Sequence, residues 1–222
     1  MRRTLNTLIA SLLLAPLAIT TTVAQQAEAG FVSLFDGKTL NGWTLVGKRG
    51  EGYGVKDGLI YCAAGGGGKL LTDKEYSDFV LRFEFKMPPG GSNNGLGIRT
   101  PKDGDAAYQG MELQILDEVA ALSGKWGKLK DGQYHGSIYL VAPAKRGAMK
   151  PAGEWNVQEV TANGRQITVV LNGQTIVDFN LDTVKDPEIL KAHPGIQRTS
   201  GHIGFLGHND YIEFRNIRIK EL

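Results

Sequence analysis

Apolar and polar side chains alternate with period two along most of this chain, the pattern of strands that turn one face to a core. The clearest run is 78–87, where Phe79, Leu81, Phe83, Phe85 and Met87 alternate with Val80, Arg82, Glu84 and Lys86 until Pro88-Pro89-Gly90-Gly91 stops it. The same reading places short strands at 31–35, 43–46, 53–56 and 59–62, the last two joined through the hairpin signal Asp57-Gly58. Further strands are expected at 93–100, 110–117 and 134–141. Another three follow at 154–161, 166–171 and 174–180, with Asn163-Gly164 and Asn172-Gly173 turning between them. Segments 201–206 and 211–222 close the chain. In the last of these Ile212 and Phe214 hold one phase and Ile217 and Ile219 the other, so a bulge is expected near Arg215-Asn216. Apart from one helical turn around 187–191, no long helix is expected. About twelve short strands at this spacing predict an all-β fold, a two-sheet antiparallel β-sandwich of the jelly-roll kind.

Within this pattern the stretch Gly110-Met111-Glu112-Leu113-Gln114-Ile115-Leu116-Asp117 stands out. Met111, Leu113 and Ile115 share the core phase. Glu112 and Gln114 take the other, and a carboxylate beside an amide is costly to bury unpaired. They face water or a ligand; the plainer alternative is a solvated sheet face. On 93–100, Gly95 and Gly97 share a phase with Arg99, which leaves open space above the sheet for a ligand or simply relieves crowding. The polar loop after Asp117, with Trp126 and three lysines before Gln133, is long for a connection, and such loops carry function or move.

Composition narrows the function classes. The chain has 222 residues, 41% hydrophobic and 22% charged, ordinary for one globular domain, and a net charge of +2 is too small to argue for nucleic acid. Residues 1–29 read as a signal peptide: Arg2-Arg3, an uncharged apolar run over 8–19, then small-residue sites ending at Ala24 and Ala29. A secreted or periplasmic domain over 30–222 is therefore expected, with no other segment apolar enough for a membrane span. The single cysteine, Cys62, excludes an internal disulfide and reads as a small buried residue. Segment 63–68 is glycine-rich, but Lys69 is followed by Leu70 rather than Ser or Thr, which excludes a phosphate-binding loop. Metalloprotease, CxxC, Gly-x-Ser-x-Gly and dinucleotide signatures are absent. Of the four histidines, His208 in Gly207-His208-Asn209-Asp210 lies where sandwich loops gather. The spacing Glu112-x-Gln114-x-x-Asp117 does not give the carboxylate pair of a retaining glycosidase.

Seven ordered motifs resemble a known family. Phe35-Asp36-Gly37-Lys38-Thr39-Leu40-Asn41-Gly42-Trp43, Asn93-Asn94-Gly95-Leu96-Gly97-Ile98-Arg99, Glu112-Leu113-Gln114-Ile115-Leu116-Asp117 and Gly136-Ser137-Ile138-Tyr139 are followed by Gly153-Glu154-Trp155-Asn156, Leu171-Asn172-Gly173 and Phe214-Arg215-Asn216-Ile217. Together they resemble the 3-keto-disaccharide (3-keto-glycoside) hydrolase family over 31–222. The resemblance implies a concanavalin-like jelly roll acting on glycosides already oxidised at C3, a substrate made by an upstream glycoside 3-oxidoreductase. A 3-ketone acidifies the C2 proton, so the glycosidic oxygen can leave by β-elimination and water can add back. That chemistry asks for a base, a partner for the enolate oxygen and an acid. The roles expected are Glu112 as base or as ligand of a divalent cation, Arg99 at the enolate, and His208 or Tyr139 at the leaving group. Gln114, Asn94, His135, Trp126 and Asp117 are the expected substrate-binding residues. The sequence itself leaves the cation open. Two other readings stay open with it: a non-catalytic, lectin-like carbohydrate-binding module, and an ordinary glycoside hydrolase on unoxidised glucan.

Overall fold

A computed structural model describes residues 28–222, so almost all of the expected signal peptide lies outside the described residues. Thirteen strands and three short α-helices follow one another in the order β1 (Val32–Ser33), β2 (Trp43–Arg49), β3 (Tyr53–Lys56), β4 (Leu59–Cys62), β5 (Gly67–Thr72), β6 (Phe79–Lys86) and β7 (Asn93–Thr100). Then come α1 (Ala106–Gln109), β8 (Met111–Leu116), α2 (Glu118–Leu122), β9 (Asn156–Asn163), β10 (Gln166–Leu171), β11 (Gln174–Asn180), α3 (Pro187–Ala192), β12 (His202–His208) and β13 (Ile212–Glu221). They form two antiparallel sheets. One runs β11-β10-β9-β6-β13-β4-β3, with β1 added on β13; the other runs β2-β5-β12-β7-β8. This is the expected two-sheet jelly roll, and among the described residues no helix is long and apolar enough to cross a membrane.

The core lies between the sheets. Phe205 of the five-stranded sheet stacks on Phe214 of the larger one at 3.8 Å between ring centroids, and Phe83 meets Phe205 edge-on at 5.6 Å. On β6 the alternation holds residue by residue, with Phe79, Leu81, Phe83 and Phe85 buried. Their neighbours Arg82, Glu84 and Lys86 lie on the outer face, in ion pairs with Glu28 and Glu159, with Arg215, and with Glu213. Trp155 joins this outer face, held between Lys86 and Arg215.

Three local features follow from backbone chemistry. Asp57-Gly58 and Asn172-Gly173 turn with positive φ at both positions, as two-residue hairpins require. The pairing of β13 with β6 slips between Arg215 and Arg218, with Asn216 at φ 51°, which is the expected bulge. Helix α3 supplies the expected turn, begun by Asp186, whose carboxylate accepts from the Glu188 N–H.

Two elements differ from the pattern. Segment 134–141 is not a strand, because positive φ at Gly136 (78°) and Leu140 (55°) folds it into turns fastened to β8. Segment 67–72, expected to open in a glycine loop, is strand β5, paired with β2 on one side and β12 on the other. That second difference changes the composition of the site.

Candidate active site

The five-stranded sheet turns its outer face to a cavity of about 460 Å³. The strands alternate, so the residues pointing out there are those out of phase with the core. Glu112 and Gln114 come from β8, Asn93 from β7, Leu206 and His208 from β12, and Lys69 from β5, with Arg49 at the end of β2. Helix α1 and the segment before it rise as one wall, contributing Asp105 and Tyr108, and Tyr139 contributes from the turn segment.

Glycines make this floor. A Cβ on Gly95 would overlap the Glu112 carboxylate, so Glu112 lies across Gly95 rather than standing up from the sheet. The Glu112 side chain is 5% exposed, and its Oε1 has no hydrogen-bond donor among the described residues. The nearest basic atom to that oxygen is Nε2 of His208, 3.5 Å away on a side chain 44% exposed. A buried carboxylate oxygen without a donor is expensive to leave unpaired, so this one is held ready for a proton or a ligand.

The other lining groups are positioned by identifiable bonds. Gln114 Nε2 donates to Asn93 Oδ1 (2.7 Å) and to the Asn94 carbonyl (3.1 Å), which fixes the amide. The Tyr139 backbone N–H donates to the Glu112 carbonyl (2.9 Å), and its hydroxyl receives the Gln133 amide (2.9 Å). Tyr108 stacks on His193 at 4.8 Å and meets Tyr139 edge-on, giving an aromatic wall; burial pushes the Tyr108 hydroxyl pKa up, so it keeps its proton. Lys69 Nζ donates to the carbonyls of Lys102 and Gly104 (2.8 Å each), tying the segment before α1 down onto β5.

Of the residues expected from sequence, Glu112, Gln114, Tyr139 and His208 converge on the cavity. Arg99 does not. Ile98 and Arg99 stand opposite a single residue of β12, and this bulge, with Arg99 at φ 47°, takes its side chain off the outer face. The guanidinium is buried against Asp78 (3.0 Å) and the carbonyls of Ser77 and Arg198. Asn94 points to the core, where its amide bonds the Tyr53 hydroxyl; its neighbour Asn93 is the one that lines the cavity. His135 is fully buried between the sheets, with Nδ1 accepting from Leu116 N–H (3.3 Å) and Nε2 bonded to Gln158 Oε1 (3.0 Å). Burial lowers its pKa to about 4. Asp117 caps α2 by accepting from the Ala120 N–H (2.7 Å), and Trp126 packs beside Leu116, Ala121 and Tyr134 in a separate small cluster. None of these five lines the cavity. Cys62 is buried, and burial raises its thiol to about 11, which suits a packing role.

Arg49, Lys69, Asn93, Asp105 and Tyr108 line the cavity without having been singled out by sequence. A signal existed for Asn93, which opens a motif and shares the phase of Gly95 and Gly97; Lys69 was hidden by the glycines before it. As for a cation, no three His, Cys, Asp or Glu side chains converge among the described residues. Glu112 and His208 are a pair, one side chain short of the three protein ligands of a catalytic zinc site, so these residues do not fit one.

Comparison with known proteins fits this architecture. A 3-keto-disaccharide hydrolase of Bacteroides thetaiotaomicron is 28% identical to the chain, covering 87% of it and 79% of the relative. A crystal structure from Parabacteroides distasonis with a provisional glycosyl hydrolase description superposes with a TM-score of 0.73 at 26% identity, over 86% of this chain and 99% of that one. The carbohydrate-binding module CBM66 of Bacillus subtilis shares the fold alone, with a TM-score of 0.50 at 15% identity over 81% and 96% of the two chains. The model of the 3-keto-alpha-glucoside-1,2-lyase-like domain matches residues 30–220. That match takes in both sheets and every residue lining the cavity, and the chain belongs to the 3-keto-alpha-glucoside-1,2-lyase-like family.

Proposed function

We propose that the domain cleaves the glycosidic bond of 3-keto-glucosides and 3-keto-disaccharides by elimination at C1–C2 followed by water addition. The observation that carries this reading is the buried, donor-free Oε1 of Glu112 set 3.5 Å from His208 in a cavity large enough for a sugar. Glu112 takes the C2 proton, and the C2 electron pair moves onto the C3 oxygen. That charge then returns to C3=O as the C1=C2 double bond forms and the C1–O bond breaks. The leaving oxygen takes a proton from His208, which exchanges with solvent through its exposed side. Water adds to the resulting enone, its oxygen at C1 and its proton at C2, to give the free 3-keto sugar. Gln114 and Asn93 bind ring hydroxyls, and the Tyr108–Tyr139 wall packs the sugar faces. Family membership and the relative's 3-keto-disaccharide substrate support this over an ordinary glycosidase, which would need a second carboxylate at fixed separation. The apolar run over 8–19 supports export, so that an oxidoreductase acting on C3 of the sugar would supply the substrate outside the cytoplasm.

The test is to incubate the protein with a 3-keto-glucoside in deuterated water, with and without EDTA, and follow products by mass spectrometry. Cleavage with deuterium at C2, lost in Glu112→Gln, is expected. Cleavage without deuterium at C2 would mean direct hydrolysis, and glycan binding without cleavage would make the domain a lectin.

A further inference from the structure

We infer that Arg49 is the catalytic cation that stabilises the oxygen on C3 as it becomes negative; the inference rests on the elimination reading above. Three cationic side chains compete for that role by sequence or position, and two are already committed. Arg99 is buried against Asp78 and two carbonyls away from the cavity. Lys69 gives its ammonium to the Lys102 and Gly104 carbonyls.

Arg49 differs in three respects. It lines the cavity, and no carboxylate among the described residues forms an ion pair with it. It is also held by one bond only, from Nη2 to the Gly207 carbonyl at 2.8 Å, in the residue preceding His208. That bond fixes one corner of the planar guanidinium and leaves its other donors for a ligand, the fork geometry suited to an oxyanion. Finally, it is laid over a glycine. Arg49 pairs with Gly67, and Gly67 pairs with His208, so the three residues form one row across β2, β5 and β12. A Cβ on Gly67 would stand 2.9 Å from Arg49 Nη2. The same Cβ would meet the Gly207 carbonyl oxygen at 2.7 Å, so glycine at this position lets the guanidinium reach the carbonyl that holds it.

The cavity therefore has a base laid over one glycine and a cation laid over another, with His208 between them in strand order. A C3 oxygen that gains charge during C2 deprotonation is what such a cation would stabilise more in the transition state than in the ground state. The carboxylate takes the proton, and the guanidinium donates hydrogen bonds to the oxygen without losing its own proton.

The experiment measures deuterium entry at C2 and cleavage of a 3-keto-glucoside for wild type, Arg49→Met and Arg49→Lys, with folding checked by near-UV circular dichroism. The expected result is a fall of about 100-fold in the rate of C2 exchange in Arg49→Met with little change in KM. Partial recovery is expected on adding millimolar guanidinium, or in Arg49→Lys. If Arg49→Met does not fold, Arg49→Lys carries the test, and its turnover should drop by about 10-fold or more at unchanged KM. Unchanged exchange in either folded variant overturns the role, and so does a rise in KM alone, while wild-type cleavage with exchange leaves the elimination reading standing. Absence of both cleavage and exchange in wild type overturns the two together.

Discussion

The Glu112 carboxylate occupies the space that a side chain on Gly95 would fill. The two residues sit on adjacent strands of the five-stranded sheet, β8 and β7, and the atoms a Cβ would first meet belong to the Glu112 side chain from Cγ outward, none to the backbone. Gly95→Ala should therefore leave the backbone in place and push the carboxylate off the sheet. A displacement on the order of 1 Å at a catalytic group costs about 100-fold in rate. Turnover of a 3-keto-glucoside is expected to fall by that factor while the melting temperature stays within a few degrees. Full turnover in Gly95→Ala would mean that the carboxylate's resting position is not the working one.

Arg99 supplies the opposite expectation. Its guanidinium bonds Asp78 and the carbonyls of Ser77 and Arg198, so it ties the end of β7 to the start of β6 and to the segment before β12. Arg99→Met removes donors from two carbonyls and a carboxylate that is itself partly exposed. A loss of about 2 kcal/mol in urea unfolding is expected, with turnover by the folded enzyme unchanged. A selective loss of turnover with normal stability would return Arg99 to the site.

What the sequence made legible was whatever period two controls. Met111, Leu113 and Ile115 are in the core and Glu112 and Gln114 face the cavity because β8 is a regular strand. Arg99 escaped that logic because one extra residue in β7 changes the phase after Gly97, and nothing in Ile98-Arg99 advertises a bulge. Asn94 lies on the core phase, where simple alternation from Gly95 puts it; its place in a motif was the misleading cue. Arg49 and Tyr108 were hidden for another reason. Arg49 lies past a register slip that follows Val46, beyond the strand read at 43–46, and Tyr108 sits on a four-residue helix too short to show a period.

His135 gives a pH expectation whose sign follows from its burial. Its folded pKa is lowered from 6.5 to about 4, so between those values the unfolded chain binds more protons than the folded one. The neutral ring's contribution to stability is complete above pH 6.5 and is lost as pH falls towards 4. That difference corresponds to about 3 kcal/mol. Urea midpoints should decline across this window, and the His135 ring protons should titrate near pH 4 in the native spectrum. A His135 titration near its ordinary value would contradict the buried Nδ1 acceptor and Nε2–Gln158 bond.

Lys69 joins the floor of the site to its wall. Its ammonium bonds the carbonyls of Lys102 and Gly104. Asp105 follows at once and caps α1, its carboxylate accepting from the Ala107 N–H at 2.8 Å. Helix α1 carries Tyr108, and with four residues it has little stability of its own, so its position depends on such ties. Lys69→Met keeps the length of the side chain and removes both bonds. The wall should then open more often, seen as faster amide exchange across 102–109. KM for a 3-keto-disaccharide should rise by about 10-fold, the loss expected for two carbonyl bonds of modest net worth each. The chemical step on bound substrate should change little, because Glu112, His208 and Arg49 are carried by strands that Lys69 does not tie to α1. A slower chemical step with unchanged exchange at 102–109 would instead place the Lys69 ammonium on the substrate.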